Sequence, residues 1–329
     1  MAIMRVMFGG DVMLGRYVDE FLQRYGPEYP LGRIGPLTAS AGLVIANLEC
    51  AITGASARWP GAPKGFYFRA SPPAVHALLG GGIHAVSLAN NHVLDFGVEG
   101  LRETIGLLRR HGIRYAGAGE NANEAWAPLI VERGGMRFGM TALCDHQEDF
   151  AAGADTPGIA WLRLDDDTHA TAVLRGALAA LRRAAVDWPI LSLHWGSNMV
   201  FEPSAKFRAL ARAAIDMGWR IVFGHSAHVF HGIELRGGYP IIYAAGDLVD
   251  DYRVDPAFRN DHQLLFELEL AGSALRRIIL HPLFIENCQA RPAAGMRFEY
   301  VAERMEEACA GLGTRLRRDG QTLWIDGAA

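Results

Sequence analysis

The chain predicts an α/β fold, a sheet core flanked by helices, on two repeating patterns. Short apolar, β-branched runs recur: MRVMFGGD, AGLVIANLE, IHAVSLANNH, MRFGMTALCD, WPILSLHWG, WRIVFGHSAH and YPIIYAAGD. They end in Gly, Asn, Asp, Glu or His, as a buried strand does when it delivers a polar tip. Between several of them lie stretches with helical character, over residues 71–79 after a Ser-Pro start, 98–111, 170–185 and 204–217. Strands alternating with helices argue for a sheet covered on its faces. Because the polar residues gather at strand ends, one site is expected at one edge of the sheet, where open α/β sheets bind ligands.

The bulk properties narrow the possible roles. The 329 residues are 50% hydrophobic and 21% charged, which is globular composition. A net charge of -4 and a pI near 6.3 leave no basic footprint for nucleic acid, so a small-molecule or short polymer substrate is expected instead. Cys50, Cys144, Cys288 and Cys309 are far apart and form no CxxC pair, which reads as reduced, buried thiols. The N-terminus runs straight into a strand-like segment without the charged start and apolar stretch of a signal peptide. No apolar run approaches the roughly 18 residues of a membrane span. No membrane anchor and a cytoplasmic protein are therefore expected. The α/β pattern is uninterrupted over residues 1–286, the expected main domain. Residues 287–329 read as a C-terminal extension packed on it, helical over 299–311 with a short strand in QTLWIDG.

A hydrolytic two-metal centre needs hard oxygen donors and imidazoles converging from several loops, and room for a water. The strand tips carry those types: Asp11, Asn47, Glu49, Asn91, His92, His194, His225, His228 and Asp247. Singly, each has a plain structural explanation, a turn cap for Asp11 or Asn91 and simple packing for a lone histidine. Jointly, almost every one follows a hydrophobic strand at once, where the core ends and solvent access begins. In GHSAH, Gly224 permits a tight exit from the strand, and the spacing of His225 and His228 can bring both imidazoles around one small volume. A GxGxxG fingerprint, a P-loop and a GxSxG elbow are absent.

The segments GGDVMLGR, ANLECAIT, FRASPPAVHALL, VSLANNHVLDFG, YAGAGENANEA, LSLHWGSN and GHSAHVFHGIE, in this order, resemble the CapA-type poly-gamma-glutamate capsule synthesis family within the calcineurin-like metallophosphoesterases. The likeness covers about residue 3 to about residue 250. It implies a four-layer α/β/β/α sandwich with a metal site at the sheet edge, holding two divalent ions such as manganese, iron or zinc. Asp11 would bind the first metal, and Glu49 would take a bridging place that ordinary relatives fill with aspartate. Asn91, His194 and His225 would bind the second metal, and His228 returns to the first. His92 would be a catalytic, non-ligand imidazole near the leaving group.

Three departures from the wider pattern matter. Met13 stands where a histidine ligand is usual, and a thioether is a poor ligand for a hard ion, so Asn47, water or another group would complete that shell. HWGSNM replaces the family's HWGxEY, and Gly246-Asp247 replaces its GN, which makes substrate contacts the least transferable inference. Arg16 and Asn47 are the candidate substrate contacts; a guanidinium at Arg16 can grip a phosphate or carboxylate bidentately, and reads equally as one half of a surface salt bridge. Asp247 reads equally as an added ligand or a turn residue. The functional expectation is a metal-dependent hydrolase with a two-metal site, a phosphoesterase acting on a small molecule. Two other readings stand beside it: a non-hydrolytic component of poly-gamma-glutamate synthesis, and a hydrolase of a gamma-glutamyl amide bond.

Overall fold

The computed structural model describes residues 3–327. Its core is a pair of facing β-sheets. The first, ten-stranded sheet runs in the order Arg317–Asp319, Thr322–Asp326, Ala274–Glu286, His262–Ala271, Met4–Val12, Leu43–Leu48, Ala85–Ser87, Arg114–Ala116. Two short strands join it from the side, Asp247–Val249 on Met4–Val12 and Gln289–Pro292 on Ala274–Glu286. The second sheet has six strands, in the order Ile233–Arg236, Tyr239–Ile242, Ile221–His225, Trp188–His194, Met136–Cys144, Leu129–Arg133.

Alternation along the second sheet decides what each face meets. Ile190, Phe223 and Ile242 point into the core shared with Phe8, Ile45 and Val86 of the first sheet, and the Phe8 and Phe223 rings meet at 5.0 Å between centroids. Their neighbours Leu191, Val222 and Ile241 point outward, onto Leu174 and Leu178 of helix Asp167–Arg183 and Leu210 and Ala214 of helix Ala205–Met217. That is the two-residue period of a strand buried on both faces. Helices Gly97–Arg110 and Met296–Gly311 cover the first sheet. The protein is thus an α/β/β/α sandwich, as the resemblance implied.

Helix ends follow local chemistry. The helix expected from residue 170 begins at Asp167, because the Asp166 carboxylate accepts from the Thr168 and His169 amides and supplies the cap. Ser204 caps Ala205–Met217 in the same way, its hydroxyl accepting from the Phe207 amide at 3.2 Å. The long hairpin His262–Ala271 and Ala274–Glu286 and the helix Tyr17–Tyr25 were not anticipated. Polar residues hide the hairpin from an apolar-run reading, yet Glu267 is 4% exposed and bonded to Arg5 at 3.2 Å and His281 at 2.8 Å. The chain beyond residue 286 contributes strands: Thr322–Asp326 pairs antiparallel with Ala274–Glu286, and helix Met296–Gly311 is the helical stretch read at 299–311. Among the described residues no helix is long and apolar enough to cross a membrane.

Candidate metal centre

Strand register builds the site. In the first sheet, Asp11 lies beside Asn47 on one neighbouring strand and Asp247 on the other, so three polar tips stand in a row. In the second sheet, His194 lies beside His225, also in register. Gly10 makes the first row possible. A Cβ there would stand 1.9 Å from the Gly246 carbonyl oxygen, and the Asp11 amide donates to that same oxygen at 2.9 Å. Past its strand, the chain turns sharply at Ser226, with φ 99, and at His228, with φ 59. These are costly conformations for residues with a Cβ. The turn aims the Ser226 amide at Asp11 Oδ2, 3.0 Å away, and returns His228 to the same carboxylate at 3.7 Å.

Two donor groups result, and Asp11 belongs to both. Ligand atoms of Asp11, His194 and His225 lie within 4.8 Å of one another, as do those of Asp11, Glu49, His228 and Asp247. Asn91 closes the first group, its Oδ1 at 2.9 Å from His194 Nε2. Glu49 also reaches His194 Nε2 at 3.5 Å. The carboxylate common to both groups is therefore Asp11, with Glu49 leaning between them, whereas the resemblance gave the bridging place to Glu49. All six expected ligands converge on one buried volume, and Asp247 joins them. His228 Nδ1 sits 2.9 Å from Asp247 Oδ1, while Asp247 Oδ2 is buried with no partner.

The donor chemistry fits divalent cations. Burial, and then the neighbouring Asp11 charge, hold the Glu49 and Asp247 carboxyls well above the usual carboxylate range. Burial raises Asp11 to about 6, against the opposing pull of His228, Asn47 and Ser226. Crowded buried acids of this kind are stable ionised only with compensating positive charge. The imidazoles are the converse. Burial, then like charge from other histidines, holds His194 far below its usual value, and burial takes His225 to about 3, so both present lone pairs. The His194 and His225 Nδ1 atoms stand 2.9 Å apart, and His225 Nε2 is beside Ser192 Oγ at 2.9 Å, a contact that orients the ring.

The remaining expected residues sit around this cluster. His92 is 7% exposed, its ring stacked on Phe68 at 3.9 Å and its Nδ1 2.6 Å from Asp95 Oδ2. Lys64 reaches into the same knot, bonding Asp95 and the Asn91 carbonyl. Asn47 is fully buried. Its amide nitrogen donates to Asp11 Oδ1 at 2.8 Å and stands 3.3 Å from His194 Nδ1, a ligand-orienting place inside the cluster. Arg16 lies at the rim, its Nε 3.1 Å from Asp251 Oδ2 and its guanidinium 5.5 Å from the Phe68 ring centroid.

Met13 is fully buried. Its sulfur accepts from the Gly15 amide at 3.1 Å.

Several contributors were not read from the sequence. Asn90 ties Asn47 to the Leu48 carbonyl and accepts from the His92 amide at 3.0 Å. His146 presents its ring edge-on to His194 at 5.6 Å and contacts Ser226 Oγ at 3.1 Å. Tyr252 donates to Glu49 Oε2 at 3.3 Å. Two of the missed groups had a signal: Asp95 follows His92 by three residues in a turn-forming segment, and Ser192 shares the face of His194 at a spacing of two.

Sandwich and cluster together define a layered α/β protein with a metal-type donor set where its two sheets meet. The chain belongs to the family described as bacterial capsule synthesis protein PGA_cap, whose model matches residues 5–252. It is 30% identical to a Mycobacterium tuberculosis protein named "Probable polyglutamine synthesis accessory protein", over 95% of this chain and 93% of that one. It is 28% identical to the capsule biosynthesis protein CapA of Bacillus anthracis, over 74% of this chain and 58% of the relative. Among solved structures it is similar to a 5'-nucleotidase precursor from Thermus thermophilus, with 12% identity, a TM-score of 0.49, and 94% and 59% of the two chains covered.

Proposed function

We propose that this chain is a two-metal hydrolase that cleaves a phosphate ester of a small molecule. The observation that carries the reading is the pair of donor groups sharing Asp11. Asp11, Asn91, His194 and His225 would hold one ion and Asp11, Glu49, His228 and Asp247 the other, with manganese, iron or zinc suited to this oxygen and nitrogen set. When bound, such cations supply activated water and neutralise charge developing on the transferred group.

The chain's own residues do the rest. Asn47, Ser192 and the Ser226 amide hold the donors in orientation. Asp95 holds Nδ1 of His92, which leaves Nε2 as the atom that takes or delivers a proton. Burial takes His92 to about 4 against the opposing pull of Asp95, so its resting form is neutral. Arg16, a third exposed at the rim, would orient an anionic oxygen with the N–H groups that Asp251 does not engage. Hydrolysis of a gamma-glutamyl amide is the second reading, favoured by the polyglutamine and capsule names of the relatives. A non-hydrolytic role in making that polymer is the third outcome of the same experiment.

That experiment is metal analysis of the purified protein followed by a screen of phosphomonoesters, phosphodiesters and gamma-glutamyl peptides. His225→Ala should lose metal, and His92→Ala should keep it while turnover falls by about 10²-fold or more. Equal metal loss in both variants would make His92 a ligand, and a metal-loaded protein inert on all three substrate classes would sink the hydrolase reading.

A further inference from the structure

Close to the metal centre one large aromatic side chain stands in solvent, Phe66, which is 64% exposed. A single exposed apolar residue needs no explanation by itself, but Phe66 is held in place from both sides. Two residues before it, Lys64 bonds Asp95, and two residues after it, the Phe68 amide donates to Asp95 Oδ2 at 2.7 Å. Asp95 is the carboxylate that holds His92, so the loop tip carrying Phe66 is fastened to the candidate proton-transfer pair. The rings continue that connection outward. Phe68 stacks on His92 at 3.9 Å between centroids, and Phe66 lies nearly parallel to Phe68, at 27° and 6.3 Å.

Arg16 faces the same corner. Its guanidinium lies 5.7 Å from the Phe66 ring centroid, 5.5 Å from that of Phe68 and 5.9 Å from that of Tyr252, whose hydroxyl donates to Glu49. Asp251, with its side chain 2% exposed, takes Nε at 3.1 Å and Nη2 at 3.0 Å. That fork uses two of the three guanidinium nitrogens and leaves the two N–H donors of Nη1 for a ligand. The backbone supports the same reading. Arg16 holds φ 57 and ψ -127, a conformation that favours glycine, and strain of this kind gathers at ligand clamps.

We infer that Arg16 and Phe66 form a subsite for an aromatic carboxylate, its flat ring stacked on the open face of Phe66 and its carboxylate on Nη1 of Arg16. The stacking partner is exposed and already fixed, so little ordering is lost when a ring covers it. A singly charged carboxylate fits the donor, because Asp251 offsets the Arg16 charge and leaves no net positive charge for a dianion. Calling this group part of the substrate rests on the hydrolase reading, but its recognition does not.

The test uses the full chain and two probes of equal charge, benzoate and cyclohexanecarboxylate, one flat and one not. Ligand-observed NMR follows binding in EDTA, so that no metal ion holds either carboxylate. Benzoate should saturate and bind roughly threefold to tenfold more tightly than cyclohexanecarboxylate, the range for one aromatic pair. Phe66→Ala, at a position too exposed to endanger folding, should erase that difference. Arg16→Gly, which suits the backbone at that φ, should weaken both probes. Equal binding of the two probes to the native chain, no saturable binding, a difference that survives Phe66→Ala, or native affinity for both in Arg16→Gly would overturn the inference. Turnover separates the two ideas. Discrimination between the probes without hydrolysis of any ester would retire the hydrolase and keep the subsite, and hydrolysis without discrimination would do the reverse.

Discussion

Asp247→Asn should move the stability of the metal-free and metal-loaded protein in opposite directions. The carboxylate has like-charged neighbours, since its ligand atom lies within 4.8 Å of those of Asp11 and Glu49. Two unit charges about 5 Å apart at an effective dielectric near 20 repel by about 3 kcal/mol. Protonation relieves part of that, as the raised Asp11 and Asp247 carboxyls show. Because the folded pKa of Asp11 is raised, its stability term is full at low pH and lost as pH rises through about 6. The measurement therefore belongs near pH 8, where the acids are most strongly ionised. Asparagine keeps the Oδ1 acceptor that His228 uses at 2.9 Å and removes only the charge. The metal-free variant should be more stable than the native chain by about 1–3 kcal/mol, a Tm rise of roughly 2–4 °C for a chain of this size. Added manganese should raise Tm less in the variant, because weaker affinity contributes less stabilisation by mass action. Differential scanning fluorimetry in EDTA and in excess manganese measures both. A variant that is less stable in EDTA, or that gains the full native shift with manganese, would refute the argument that these acids are held together for cations.

Three further outcomes follow from single contacts. Met13→His should leave metal affinity unchanged by calorimetry, because the side chain lies against the Gly15 amide and Asp247 already stands beside His228; tighter binding would show that the loop can turn inward. Gly10→Ala should give little soluble folded protein, since its Cβ would meet backbone at 1.9 Å, and a native-like circular dichroism melt would contradict the close approach of the two strands. Burial takes His231 down to about 4. The unfolded chain therefore binds a proton that the folded chain refuses between pH 6.5 and 4, and stability falls as pH drops through that window. Urea unfolding should show His231→Phe recovering about 2 kcal/mol of the native chain's loss between about pH 7.5 and about pH 5.

The sequence carried the donors because they obey a local rule. Asp11, His194 and His225 each stand at the end of an apolar run, and a run ending in a polar group is visible one segment at a time. Convergence is not local. The row Asn47, Asp11 and Asp247 exists because a strand far along the chain pairs in register with Met4–Val12, and nothing within residues 243–250 specifies that register. From its own segment Asp247 therefore reads equally as a ligand or a turn residue, and its neighbour Asp11 decides between them. The same limit applies to Asn47, which its own segment offers both to the metal shell and to the substrate and which the fold sets against Asp11 and His194. His146 shows it most clearly. It stands one residue past the run MRFGMTALCD, and the parallel pairing of Met136–Cys144 with Trp188–His194 carries it to the cluster.

What the register adds is also what makes the site costly. It packs Asp11, Glu49 and Asp247 against the neutral, buried imidazoles of His194 and His225, at a turn where Ser226 and His228 occupy strained backbone. A chain free of other demands would relax those positions, with glycine at φ 99 and asparagine among the acids. Their occurrence together in one buried cluster is the physical argument for the cations proposed above. It also makes the stability of the metal-free protein, rather than its activity, the most direct measure of what the site is for.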